Sequence, residues 1–236
     1  MLSSAARWDP ALTLSLAAEL PATAAGDALV ARMATSLVNS GELPARYDWL
    51  MAQAPERLRQ PLLQCAFRYL DADYLGDPQP WAARLEQLPE AARPGAAASL
   101  VNAWAAQSPE EAAAWLTSLP AGESQNRAAA ALATAWAELD VQGAAQWVGS
   151  LAPGPERDQG ALALALALAD RSPQQAWDWA LSIADPDQRT RAAAQAAKVM
   201  AWRDPATALQ WIQTGPLTAQ AKAELQAALP RINPKP

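Results

Sequence analysis

Ser108-Pro109-Glu110-Glu111-Ala112-Ala113-Ala114-Trp115-Leu116-Thr117-Ser118-Leu119-Pro120 is the stretch that decides the fold. Ser108 is placed to cap a helix, because its hydroxyl accepts a first-turn N–H that has no partner inside the helix. Pro109 at the first helical position loses no hydrogen bond and presets φ. Glu110 and Glu111 sit at the positive end of the helix dipole, and Pro120 stops the helix. The product is a helix of about three turns, roughly 15 Å long. Ala121-Gly122-Glu123 turns the chain, a longer helix follows from Ser124 to Leu139, and Asp140 opens the next element. Together these residues read as one helical hairpin.

The same pattern recurs on both sides. Trp104, Trp136, Leu168 and Met200 are spaced 32 residues apart, as are Trp115, Trp147, Trp179 and Trp211. Pairs of prolines 11 residues apart extend the frame: Pro10 and Pro21, Pro44 and Pro55, Pro78 and Pro89, Pro109 and Pro120, Pro205 and Pro216. Val141 with Ala152 and Pro173 with Ala184 keep the spacing without both prolines. Seven units therefore begin near residues 10, 44, 78, 109, 141, 173 and 205, with periods of 34, 34, 31, 32, 32 and 32. Asp9-Pro10, Asp77-Pro78, Ser172-Pro173 and Asp204-Pro205 repeat the helix start. Self-similarity at such a period is the signature of a repeat architecture.

Counted from the first proline of a unit as zero, positions +3, +6, +7 and +10 of the first helix are mostly apolar: Ala112, Trp115, Leu116 and Leu119, or Ala208, Trp211 and Ile212. That spacing is the stripe of a one-sided helix. The second helix has two apolar faces. One carries large residues (Leu100, Val101 and Trp104; Leu132 and Trp136). The other is a ridge of Ala129, Ala133 and Ala137, then Ala161, Ala165 and Ala169, then Ala193, Ala197 and Ala201. Small residues on an i±4 ridge let a neighbouring helix come close. One hairpin cannot bury both faces, whereas stacked neighbours can. The expected fold is all-α: an α-solenoid of about seven helix–turn–helix repeats in a right-handed superhelix, with 1–236 as one domain. At roughly 9 Å per layer it would be about 60 Å long.

Composition points the same way and excludes several functions. The 236 residues carry a net charge of −6, half are apolar, and about a quarter are Ala, the best helix former. With no His there is no histidine triad, proton shuttle or histidine zinc site. A single Cys makes no internal disulfide. An acidic chain with three Lys is a poor binder of phosphate backbones, so nucleic acid is not an expected partner. Fifteen Arg to three Lys, with the Ala load, suggest a GC-rich bacterial genome. Residues 1–10 lack the pattern of a signal peptide, and the longest apolar run, Ala161 to Ala169, is too short to span a bilayer. The compartment stays open: cytoplasmic by default, periplasmic if a signal or anchor lies upstream. Met1 to Arg7 matches the tail of a preceding second helix. The array is thus expected to continue upstream, or its uncapped first hairpin to dock on a partner or another copy. Pro230 ends the last helix, and 231–236 reads as a polar terminus.

With its recurring W-A-x-x-(S/D)-P-x-x-A-x-x-W-x-x-x-L-P, the whole chain resembles α-solenoid proteins of the TPR and HEAT-like kind, and is similar to helical repeats of bacterial proteins. It lacks the W-x-x-L-G-x-x-Y signature of TPR first helices. The resemblance implies a curved scaffold that binds peptides or other proteins, with first helices on the concave side. Some TPR proteins clamp a partner's C-terminus with Lys, Arg and Asn. The first helices here hold almost no basic residues, so that clamp is not carried over.

Trp104, Trp115, Trp136, Trp147, Trp179 and Trp211 lie in register and are expected in the core, since aromatic stripes at helical spacing usually pack. Trp49 at +5 falls opposite the buried stripe, and Trp177 at +4 flanks it. Both are candidate exposed hot spots. The outer ridge of the first helices is largely uncharged: Gln142, Gln146 and Gly149; Gln174 and Leu181; Gln210 and Gln213. Its Gln side chains suit the backbone of an extended peptide. Trp49, Gln146, Asp178 and Gln210 are the expected inner-ridge contacts.

Ala161 to Ala169 alternates Ala and Leu with period two, yet the repeat frame makes it helical. Leu162 and Leu166 then point away from both buried faces, as a candidate contact patch. Cys65 falls on the same outward strip and is given no chemistry. Arg127, Arg189 and Arg191 stand near Glu123, Asp185 and Asp187 as expected surface ion pairs. Glu110, Glu111, Glu123, Asp140 and Asp204 occupy capping positions, and no P-loop, Gly-rich dinucleotide turn or G-x-S-x-G is present.

The expected function is a non-catalytic protein–protein interaction scaffold with no cofactor and no metal, whose partner is another protein or an extended peptide. One alternative is a structural subunit of a bacterial envelope-associated assembly, which light scattering would reveal as an oligomer. A second is an α/α-toroid enzyme or glycan binder, which small-angle scattering would reveal as a compact ring.

Overall fold

Proline or a short polar cap opens most of the helices, as the repeat frame requires. The computed structural model describes residues 10–21, 23–38, 45–70 and 72–229, without the side chains of 45, 46 and 74. Among these residues the chain is all-helical, with no strand. The expectations for residues 1–7, for Asp9, for Pro44 and for Pro230 with its tail lie outside the described residues. The chain divides into two compact units, 1–112 and 113–236.

In the first unit, α1 (Pro10–Glu19) packs on α2 (Ala24–Val38), and α3 (Ala45–Gln53) on α4 (Glu56–Arg68). The two long helices α2 and α4 pack directly together, and α4 also meets α7 (Arg93–Ala105). Between them the frame loosens. A single turn, α5 (Ala72–Leu75), ends at Gly76, whose φ of 60° suits glycine because there is no Cβ to clash. The first helix of the third repeat, α6 (Gln79–Arg84), is short and gives way to 3-10 turns at Leu85–Gln87 and Glu90–Ala92. An aromatic cluster fills this region. The Trp81 ring lies 5.1 Å from Tyr47 and meets Phe67 edge-on at 5.7 Å. The Arg84 guanidinium lies 5.1 Å from the centroids of both Tyr47 and Trp81 and pairs with Asp48 at 2.7 Å. Burial holds the Tyr47 phenol up at about 12; the nearby Arg84 charge opposes this and Asp48 reinforces it.

The helix α8 (Pro109–Ser118) crosses the division between the units. In the second unit the long helices are α9 (Glu123–Leu139), α11 (Pro155–Leu168), α13 (Pro186–Arg203) and α15 (Ala219–Ala228), and each packs on the next. The short helices α10 (Val141–Ser150), α12 (Pro173–Leu181) and α14 (Pro205–Thr214) pack on the long helices before and after them. Every Ala of the three ridges is buried. The small side chains are what let α9, α11 and α13 approach one another.

The stripe of the first helices is also where the spacing puts it. Position +3 (Thr13, Tyr47, Trp81, Ala112, Ala144, Ala176 and Ala208) is never more than 2% exposed. Carboxylates cap several helices. Asp140 accepts from the Gln142 amide, Asp185 from Gln188, and Asp204 from Ala206 and Thr207. Asp77 accepts from Gln79 at 3.0 Å. Ser172 opens α12 without a side-chain cap.

A second device closes the hairpins. The residue near the start of a long helix donates back to the carbonyl that ends the preceding short one. Arg59 reaches Ala54, Arg93 reaches Leu88, Gln125 reaches Leu119 and Arg189 reaches Ile183. Arg189 also bonds the carbonyls of Ala184 and Pro216. Its guanidinium is therefore committed to backbone, where an ion pair with Asp185 or Asp187 was expected. Arg127 does pair with Glu123, at 2.8 Å. At the equivalent place in the 141 repeat, Arg157 instead donates forward to Ser182, and the buried Asp158 accepts from the amides of Ala184 and Asp185, all at 3.0 Å. Among the described residues no helix is long and apolar enough to cross a membrane.

Candidate functional site

Position +5 of the first helices is the outward ridge. Trp49, Gln146, Asp178 and Gln210 are all exposed there, Trp49 to 44%. Two of the four edge a groove.

In the second unit a groove of about 460 Å³ opens between α10 and α12. Val141, Gln142 and Ala145 of α10 form one wall. Gln175, Asp178 and Trp179 of α12, with Ser182, form the other, and Arg157 and Leu168 contribute from α11. Asp178 Oδ1 accepts from the Gln174 amide at 3.1 Å, one helical turn away, which orients the carboxylate. The Arg157 guanidinium is fixed by its bond to the Ser182 carbonyl. Beside it, Glu156 has one carboxylate oxygen enclosed without a hydrogen-bond partner, and burial raises its pKa. The Trp179 ring edge lies 4.0 Å from where a Cβ on Gly149 would sit, an ordinary van der Waals distance.

In the first unit a smaller groove of about 280 Å³ opens between α1 and α3. Ala11, Leu14, Ser15 and Ala18 face Trp49, Gln53 and Pro55 across it. The two grooves share a register. Positions +1 and +4 of one first helix (Ala11 and Leu14; Gln142 and Ala145) oppose +5 and +9 of the next (Trp49 and Gln53; Asp178 and Ser182). Each unit thus builds the same kind of cleft from consecutive first helices and varies the side chain at +5.

Several expectations are corrected. Trp177 is buried, with 4% exposure, because its ring stacks on Trp211 at 5.3 Å and covers Gly215. The stripe of a single hairpin omits this contact, which the following first helix supplies. Leu162 is buried at 8%, while Leu166 stays exposed at 38%. The helices α9, α10, α12 and α13 all pack on α11, leaving only a narrow strip around Leu166 open. Cys65 is buried against α2, its Sγ 3.4 Å from Thr35 Oγ1. Of the in-register tryptophans, Trp104, Trp136 and Trp211 are core, but Trp115, Trp147 and Trp179 are half-buried. Trp202 was missed. At 69% exposure it is the most exposed large apolar side chain described. Its sequence signal is an aromatic that falls outside the repeat register, two residues beyond the register position held by Met200.

Among the described residues no group of three or more Cys, Asp or Glu is gathered closely enough to hold a metal ion. No family model matches the chain, and no curated protein or solved structure matches it either.

Proposed function

We propose that the chain is a non-catalytic protein–protein interaction scaffold of the TPR/HEAT-like α-solenoid kind, its hairpins following one another in a right-handed series. The observation that supports this most is the recurrence of one cleft, between consecutive first helices and in one register, in both units. A cleft between two parallel ridges of this kind suits an extended segment of a partner, one side chain of which it can take. Exposed Trp and polar amides on the ridge give an apolar anchor and backbone hydrogen bonds respectively.

The test is selection of binders from a library of capped peptides, followed by mapping of the contact surface through amide chemical shifts. Shifts concentrated on α10, α12, α1 and α3 are expected. Binders that leave these helices unperturbed, or no binders at all, defeat the proposal.

A second reading, assembly as a structural subunit, is favoured by a different observation: Leu139, Leu166 and Trp202 of the long helices are all exposed. Concentration-dependent growth in light scattering that is lost in Trp202→Ser would support it.

A further inference from the structure

We infer that the groove between α10 and α12 receives a single basic side chain, Arg or Lys, of an extended peptide, with Asp178 as the counter-charge and Trp179 as the wall. The inference rests on the scaffold reading and gives it a partner chemistry.

It starts from charge. The helices α10, α12 and α14 contain no Lys or Arg, and Asp178 is their only acidic residue. Its Oδ1 accepts from the neutral Gln174 amide, which orients the carboxylate without cancelling its charge. Arg157, the one cation lining the groove, donates to the Ser182 carbonyl and makes no ion pair with Asp178. Asp178 lines the cleft together with Val141, Ala145 and Leu168, so a cation seated there meets its carboxylate beside an apolar wall. Beside Asp178 an acidic side chain meets like charge, and a neutral one gains nothing from the carboxylate.

The wall then selects among cations. Trp179 is the residue next to Asp178 and lines the same cleft. Its indole is thus part of the wall that a guanidinium or ammonium entering the cleft meets, and indole is the best ring for a cation–π contact. Gln142 and Gln175 each offer a donor and an acceptor to the backbone on either side of that residue. Arg157 sets the limit, since a second basic residue alongside the first meets like charge. One basic residue in a polar or apolar context is the complement, not a polybasic run.

The experiment uses the full chain and a bead library of capped nonapeptides, with fluorescence anisotropy on the selected sequences. Selected peptides should carry one Arg or Lys at a fixed position, and changing it to Gln should weaken binding about tenfold. With Asp178→Asn the Arg and Gln peptides should bind alike, and with Asp178→Lys a Glu peptide should bind better than the Arg one. Asp178 is exposed, so circular dichroism of both variants should match the parent. The inference is overturned if the selected peptides show no basic preference, or if the preference survives Asp178→Asn. It is also overturned if chito- or malto-oligosaccharides displace the peptides from the groove, because a sugar is then the occupant. Peptides that perturb the groove without a basic preference defeat this inference alone, whereas an absence of any peptide binding defeats the scaffold reading with it.

Discussion

Trp177 and Trp179 are two residues apart and serve different ends. Trp177 is a packing residue that spans from α12 to α14, so Trp177→Ala should cost about 3–5 kcal/mol in urea unfolding, the range for a buried aromatic. Gly215→Ala should destabilise through the same contact, because an added Cβ would lie 2.8 Å from Trp177 Cζ2 and 2.8 Å from the Trp211 carbonyl oxygen. Trp49, exposed on its groove, should behave in the opposite way. Trp49→Ala is expected to weaken peptide binding while helicity by circular dichroism stays unchanged; equal affinity would remove it from the site. Tyr47 gives a pH signature. Its phenol ionises near 10 in the unfolded chain and at about 12 when folded. The stability it contributes is complete below pH 10 and is lost as the pH rises through 12. Alkaline unfolding followed by circular dichroism should therefore be shallower over that window in Tyr47→Phe.

Among the elements, the long helices are defined by what they lack. Ala165 on α11 is fully buried in a ridge that neighbouring helices approach closely. Ala165→Leu should cost about 1–3 kcal/mol by overpacking, although Leu is nearly as good a helix former. The helix start at Asp204 is tuned by charge. The Thr207 hydroxyl and then its amide hold the Asp204 carboxyl below its ordinary value, with a smaller contribution from the Ala206 amide, while desolvation opposes them. A lowered folded value means the contribution is present above the unfolded pKa and is lost as the pH falls through the folded one. The acid limb of a stability–pH curve should accordingly be flatter in Asp204→Asn than in the parent. The Asp158 contact belongs to this scale too. It ties the start of α11 to the turn before α13, and Asp158→Ala should remove both hydrogen bonds to the Ala184 and Asp185 amides, at about 0.5–1.5 kcal/mol each in urea unfolding.

At the level of the whole molecule, two units each carry a core and a cleft of common register. The sequence alone determined the helical class, the burial of position +3 and of the Ala ridges, and the outward placement of Trp49, Gln146, Asp178 and Gln210. These follow from local chemistry. Proline and carboxylate caps fix where a helix begins, and a 3.6-residue period fixes which side of it is apolar. Only the tertiary structure decided the rest. Trp177 and Leu162 were read outward because the stripe of one hairpin contains no information about the next, yet it is α14 that covers Trp177 and the packing of four helices around α11 that covers Leu162. The grooves were likewise invisible along the chain. Each wall comes from a different repeat, and a cavity exists only once two helices 32 or 34 residues apart have been set side by side. Helix identity is written in neighbours three and four residues away, whereas exposure and concavity depend on atoms that the chain supplies a full repeat later.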